Sequence, residues 1–483
     1  MSKLDYKPWN ISTNLIAQLN LQSINYCHWK SNINIEKAMR GYDDLDLLVN
    51  RKEYSKCQII LSELGFKEAM NDIQNIYGVK HFYGLDKVNG GILHVHLYTS
   101  IITGPSWTKG YTFGIEEKYL NSSSIDKKLR IRLPKKEYEL AVFLIRICLK
   151  FTSLLEAPLV LFSRDSIKKE IEFLLEGSSI KLTSEIFNSF ISSKNNDLFN
   201  EIINIKGNIF KLIIASFKVR FKLKRWRTLS RIEQLRRSLL QLTYRIINKI
   251  IFKEKKKLTN GGVIISFVGL DASGKSTMLN EIDKWLSKHF NIKKIHFGRP
   301  KSSVLTIIPN LIIKIYKKIK GKGRISTSFV ADGGNSTLFI LRQVILAYDR
   351  YCLVLKARKL ARKGNIVLID RFKSETRGIM DSHKLDPNRL GSWKRYAAIL
   401  ENNLYIKIGD PNLVLHLKVP IEVALERNRN RQKIDKESDE ELKLRYSVNQ
   451  TLNYSADNYY LINSDKDFNA VVNEIKSNVW ALI

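Results

Sequence analysis

"GLDASGKST", Gly269–Thr277, decides how this 483-residue chain is read. Gly269, Gly274, Lys275 and Ser276 stand at the spacing G-x4-G-K-S. A loop whose glycines carry no side chain can wrap successive backbone N–H groups around phosphate oxygens. Gly269, Ala272, Ser273, Gly274, Lys275, Ser276 and Thr277 are therefore the candidate cradle for a nucleotide's phosphates. Lys275 would reach the β- and γ-phosphates and Ser276 would ligate Mg²⁺. The context fits. Upstream, "GVIISFVGL" (Gly262–Leu270) is an apolar, β-branched run that reads as a buried parallel strand. Downstream, a helix beginning near Ser276 aims its positive end at the anion.

Further along the chain the same alternation repeats. "IKKIHF" (Ile292–Phe297) reads as a short strand ending at "GRP", with Arg299. A long helix, residues 337 to 363, should bury Leu341, Val344, Ile345, Tyr348, Cys352 and Leu355 at helical spacing. "NIVLID" (Asn365–Asp370) is the next strand, followed at once by Arg371. "NLVLHLKVP" (Asn412–Pro420) and "YYLINS" (Tyr459–Ser464) complete five parallel strands. The expected fold is α/β, a P-loop parallel five-stranded sheet flanked by helices. Ligands of such sheets collect at the carboxyl ends of the strands, where Asp370 stands as a Mg²⁺-side carboxylate. "ALERNRNRQ" (Ala424–Gln432) opens an arginine-rich segment suited to a mobile lid over phosphates. Arg427 and Arg431 share a helical face there and Arg429 does not.

"FVGLDASGKST", "IDRF" and "LHLKVPIEVALERNRNRQ", in that order, resemble the thymidylate kinase family of P-loop nucleoside monophosphate kinases. The resemblance runs from Val263 to Ile483, under half of the chain. It implies ATP and Mg²⁺ as cofactors and a small-molecule phosphate acceptor. By position, Asp271 resembles the family's acidic residue near the acceptor sugar. Arg350 and Arg371 resemble the arginines that grip the acceptor phosphate, with Arg299 nearby. Lys275, Asp370, Arg371, Arg427 and Arg431 are the catalytic set it implies. The chain also departs from the family. The turn that there resembles "REPGG" is here "GRPKSS", and about 40 extra residues (Lys301–Ile340) follow it.

The sequence before the loop has a different texture. In "YCHWKSNINIEKAMRGYDDLDLLV" (Tyr26–Val49), Asp44 and Asp46 lie two apart in a strand, so both carboxylates face one way. Such pairs can hold Mg²⁺ for nucleotidyl transfer. "GGILHVHLYT" (Gly90–Thr99) places His94 and His96 on one face. This stretch resembles the nucleotidyltransferase fold, with histidines where a third carboxylate would stand. Residues 1–130 are thus expected to form a small nucleotidyltransferase-like α+β domain. Residues 131–258 should form a helical region with a basic amphipathic linker, and residues 259–483 the kinase-like domain.

Charge and composition bound the remaining choices. The formal net charge is +34, and Lys206–Lys257 alone holds 17 basic against 2 acidic residues. Such a surface attracts polyanions. In Lys218–Lys257 the residues Leu235, Leu239, Leu242, Ile246 and Ile250 keep helical phase. That suits either packing on a domain or attachment to an anionic membrane, with nucleic acid second because aromatics are few. Four scattered cysteines argue against a disulfide framework. The opening MSKLDYKPWN lacks an apolar leader, and no apolar run reaches the ~18–20 residues of a membrane span. A cytoplasmic protein, peripheral at the inner membrane face and with a homodimer as candidate assembly, is expected. The function expected is ATP-dependent phosphoryl transfer, most simply to a dTMP-like nucleoside monophosphate. The alternatives are a sugar or lipid-linked acceptor of surface polysaccharide synthesis, and an ATP-switched membrane or nucleic-acid binding protein.

Overall fold

The computed structural model describes all residues except 1–6, 74, 107, 154, 299, 321–336, 431–437 and 450–451, and leaves out the side chains of 313, 314 and 316–320. Two compact units divide the chain, Met1–Glu254 and Lys255–Ile483.

In the first unit, strands buried on both faces build a mixed sheet. Its strands are β1 (Tyr26–His28), β2 (Leu45–Val49), β3 (Lys67–Met70), β4 (Val79–Leu85) and β5 (Ile92–Tyr98), side by side in the order β1-β2-β5-β4-β3. β2 and β5 are parallel, and the other pairs are antiparallel. Leu45, Leu47, Val49, Val95 and Leu97 point to one face, where they pack with Leu15, Leu19, Ile60 and Leu61 of the helices Asn10–Leu21 and Tyr54–Glu63. Leu48 and Tyr98 point to the other. They share a core with Leu140, Leu144 and Cys148 of helix Lys136–Phe151 and with the helices that follow it. The helical residues after 130 therefore close the second face of this sheet.

The basic stretch that follows is segmented. Helix Ile209–Lys222 runs into a short 3-10 turn, Leu223–Trp226, and the chain then extends at Arg227. A new helix, Arg231–Ile247, starts where the Ser230 hydroxyl accepts from the Glu233 N–H, and a π turn, Asn248–Phe252, ends it. Leu242 is half-buried, while Leu235, Leu239, Ile246 and Ile250 are exposed by 63%, 55%, 51% and 70%.

The second unit is α/β. β6 (Ile264–Val268), β7 (Ile292–His296), β8 (Ile366–Asp370), β9 (Leu413–Lys418) and β10 (Asn458–Asn463) form an all-parallel sheet in the order β7-β8-β6-β9-β10. β6 is buried throughout and β8 up to Asp370 because helices cover both faces of a parallel sheet. The long helix Thr337–Arg362 has the expected extent but turns a different face inward. Ile340, Ala347, Asp349, Arg350, Val354, Ala357 and Ala361 are buried, while Leu341 and Leu355 are 45% and 44% exposed. Small alanines let this helix lie close to the sheet and to helix Ser392–Ile408, and its inward stripe includes a charged pair. Asp349 uses that position to hold the chain after "GRP". It accepts from the Ser303 N–H at 2.8 Å, the Thr306 hydroxyl at 2.5 Å and the Asn310 amide at 3.0 Å.

Candidate functional site

The loop after β6 has the backbone its glycines permit. Gly269 sits at φ +137° and Gly274 at +88°, with Ala272 between them at +63°. At Gly269 a Cβ would lie 2.2 Å from the Leu417 carbonyl of β9, so only glycine lets the two strands approach there. Helix Lys275–Leu286 begins directly at Gly274. Lys275 is buried, and its ammonium donates to the Leu270 carbonyl within the loop. Burial pushes its pKa down to about 8, against the pull of Asp271.

Asp370 ends β8 in register with Phe267 of β6 and His296 of β7, at the carboxyl edge beside the loop. Its Oδ2 meets His296 Nδ1 at 3.0 Å. Its Oδ1 is buried without a hydrogen-bond partner among the described residues. A buried, unsatisfied carboxylate oxygen fits a cation or its bound water. Ser276 lies on the first turn of the helix and is exposed. Ser276 and Asp370 are the two residues that the sequence assigns to Mg²⁺.

A chain of alternating charges runs from the loop into the unit. Asp271 pairs with Arg371 at 2.8 Å and with Arg445 at 2.5 Å. Arg371 reaches Asp381 at 3.4 Å, and Asp381 holds Arg350 at 2.9 Å. Arg350 also donates to the Tyr405 hydroxyl and to the Phe297 carbonyl, and it lies 4.7 Å from the Phe297 ring centre. Burial works against the Asp271 carboxylate, yet Arg371, Lys275 and Arg445 hold its pKa below the usual range. Arg371 adopts φ +68°, a strained conformation for a side-chain-bearing residue, immediately after Asp370. Arg445 and Asp381 carried no motif in the sequence. They are found only through their partners.

In the arginine-rich segment, helix Ile421–Arg429 brings Arg427 to the loop. Its Nη1 is 3.9 Å from where a Gly274 Cβ would stand, and its Nη2 donates to the Ser464 carbonyl at 2.8 Å. Arg429 points elsewhere, to Asp439 at 2.6 Å, as the helical phase requires. Arg431 and Arg299 lie outside the described residues, as does part of the Lys301–Ile340 insert.

Known proteins match this half of the chain. Over 230 residues, 46% of this chain and 98% of the relative, it is 29% identical to a thymidylate kinase of Prochlorococcus marinus. Over 221 residues, 45% of this chain and 97% of the relative, it is 24% identical to a thymidylate kinase of Thermosipho africanus. This is a kinase-like P-loop region. Among solved structures, a deoxyadenosine kinase from M. mycoides aligns over 45% of this chain and 99% of its own, with 15% identity and a TM-score of 0.27. No family model matches the chain. Among the described residues no helix is long and apolar enough to cross a membrane.

Outside the kinase-like region, the first unit gathers a second polar cluster. Asp46 of β2 lies opposite His96 of β5. Asp44 Oδ1 meets His94 Nδ1 at 2.6 Å, and Asp46 Oδ1 meets His96 Nδ1 at 2.9 Å. Lys30 adds an ion pair to Asp46 at 3.0 Å. Burial disfavours the Asp44 carboxylate, but the His94 hydrogen bond and the His96 charge bring its pKa down to about 2. The carboxylate pair that the sequence places on one face is thus engaged by the histidines of the next strand.

Proposed function

We propose that the second unit transfers the γ-phosphoryl group of ATP to a phosphorylated acceptor, most simply a nucleoside monophosphate such as dTMP. The observation that carries this reading is the continuity from Lys275 and Asp370 through Arg371 to Asp271 and Arg350. The groups read as holding the donor phosphates and those read as facing the acceptor are linked through these ion pairs. Loop N–H groups and Lys275 would hold the ATP phosphates, and Ser276 and Asp370 would hold Mg²⁺. The bound ion supplies charge neutralisation between the phosphates. Arg427 stands beside the loop to neutralise charge that builds on the transferred group. Arg371 and Arg350 orient the acceptor phosphate, and Asp271 and Asp381 orient those arginines. Phosphoryl transfer asks mainly for positioning and electrostatics, which such a set provides.

The acceptor is tested directly. Labelled ATP is incubated with dTMP, other nucleoside monophosphates and sugar phosphates, with Lys275→Ala as control. Label on dTMP, lost in the variant, supports the reading. Label that moves only to a sugar phosphate selects the polysaccharide alternative. ATP binding with no acceptor labelled overturns the kinase reading in favour of a switch.

A second element concerns location. The exposed Leu235, Leu239, Ile246 and Ile250 share a helical segment with Arg236, Arg237, Arg245 and Lys249. This combination supports attachment to an anionic lipid surface. The first unit is read as nucleotidyltransferase-like in fold, because Asp44 and Asp46 share one sheet face beside Lys30.

A further inference from the structure

We propose that His81, His94 and His96 bind a divalent transition metal of the Zn²⁺ class, and that Asp44 and Asp46 orient the ligands rather than hold the ion. The three imidazoles come from neighbouring strands, one from β4 and two from β5, and each offers a ring nitrogen within 4.8 Å of the others. His81 Nδ1 and His94 Nε2 are 3.1 Å apart. Two nitrogens sharing a tetrahedral zinc at ~2.0–2.1 Å would lie about 3.3 Å from one another, so the rings already stand near coordinating separation. The carboxylates take the opposite nitrogens, Asp44 at His94 Nδ1 and Asp46 at His96 Nδ1. A carboxylate on the far nitrogen sets the tautomer and aims the near nitrogen at a metal. The rings are half-buried, which leaves a route for the ion. Three nitrogen donors disfavour Mg²⁺, a hard cation that asks for oxygen.

The surroundings suggest what completes the coordination. Three protein ligands leave one position open. On the same sheet face, Lys30 and Lys109 lie 5.2 Å and 5.5 Å from the Tyr98 ring centre, and Lys30 and Arg146 lie 5.4 Å and 5.8 Å from that of Trp29. Burial, and next the Lys30 charge, push Lys109 down to about 7. Lys30 already pairs with Asp46, but Lys109 and Arg146 beside a metal would favour an added anion, and the class that suits both is a phosphorylated compound bound through a phosphate oxygen.

The test uses the full chain, stripped with chelator and titrated with Co²⁺ and Zn²⁺. One equivalent of Co²⁺ should give the intense visible absorption of a tetrahedral site, displaced by Zn²⁺. His81→Gln and His94→Gln should abolish it. Asp44→Asn, which preserves shape, should weaken binding about 10–100-fold. Inorganic pyrophosphate should change the parent's Co²⁺ spectrum, and Lys109→Ala should blunt that change. Far-UV circular dichroism reports whether each variant is folded. Absence of one-equivalent binding by the folded parent, or binding unchanged in a folded His81→Gln or His94→Gln variant, overturns the metal site. A spectrum indifferent to pyrophosphate overturns the phosphate ligand.

Discussion

Asp381→Ala should be among the most damaging single substitutions in the second unit. Asp381 is 7% exposed at its side chain and faces Arg350, itself 5% exposed, at 2.9 Å and Arg371 at 3.4 Å. At an effective dielectric of ~20, those separations correspond to about 6 and about 5 kcal/mol of gross attraction. Desolvation of the three groups and repulsion between the arginines offset most of it. Removing one partner of a buried pair nevertheless costs roughly 3–5 kcal/mol, because an uncompensated charge stays behind. Arg350 keeps Tyr405 and the Phe297 carbonyl, which places the expected loss near the lower end, about 3 kcal/mol. Urea unfolding followed by a probe in the second unit measures it. Phosphoryl transfer should fall further than stability explains, since Arg371 would lose one of the two carboxylates that aim it. A variant within about 1 kcal/mol of the parent and of equal activity would refute the idea that Asp381 organises the acceptor arginines.

Three other outcomes follow from the same geometry. Gly269→Ala should cost several-fold more stability than Gly274→Ala: the first places a methyl 2.2 Å from a backbone carbonyl, whereas the second meets nothing nearer than 3.9 Å and pays about 1 kcal/mol for its φ. Paired denaturation curves compare them, and equal losses would contradict the close approach of β6 and β9. ATP affinity should stay level below about pH 8 and fall as pH rises through it, because Lys275 is charged only below its lowered pKa. Without nucleotide the same group should add stability between about pH 8 and ~10.5, where the unfolded chain binds the extra proton. Titration calorimetry with Lys275→Ala as reference checks the affinity, and a parent whose pH profile matches the variant's would count against the assignment. Replacing Leu235, Leu239 and Ile246 by Ser should weaken co-sedimentation with phosphatidylserine vesicles at least tenfold, with little loss of fold, since all three are exposed. Undiminished binding would locate any lipid contact elsewhere.

Where local sequence dictates local geometry, the sequence is legible. The phosphate loop, its strand and its helix follow from glycines at positive φ and a largely apolar run, and all five strands of the second sheet fall on the segments the sequence marks, the three inner ones buried and the edge strands β7 and β10 mostly half-buried or exposed. Lys275, Asp370 and Arg427 reach one edge because strand ends and helical phase carry them there. The long helix shows where such reading stops. Its apolar stripe suggested an inward face of Leu341, Val344, Ile345, Tyr348, Cys352 and Leu355; Val344 and Tyr348 do pack against the core, but the fold buries Asp349 and Arg350 and exposes the two leucines. A charged residue turns inward only when a distant partner awaits it, and no periodicity records that partner.

The same division holds across the molecule. Spacing by itself determined a P-loop, a parallel sheet, two carboxylates on one strand face and two histidines on another. Only the tertiary structure joined Asp271 to Arg445 across 174 positions, placed Asp381 between two arginines, and set His81 against His94. Backbone conformation and side-chain phase depend on neighbours a few residues away, so the sequence carries them directly. Pairing of charges and convergence of ring nitrogens depend on which strands lie side by side, and that follows from the packing of the whole unit.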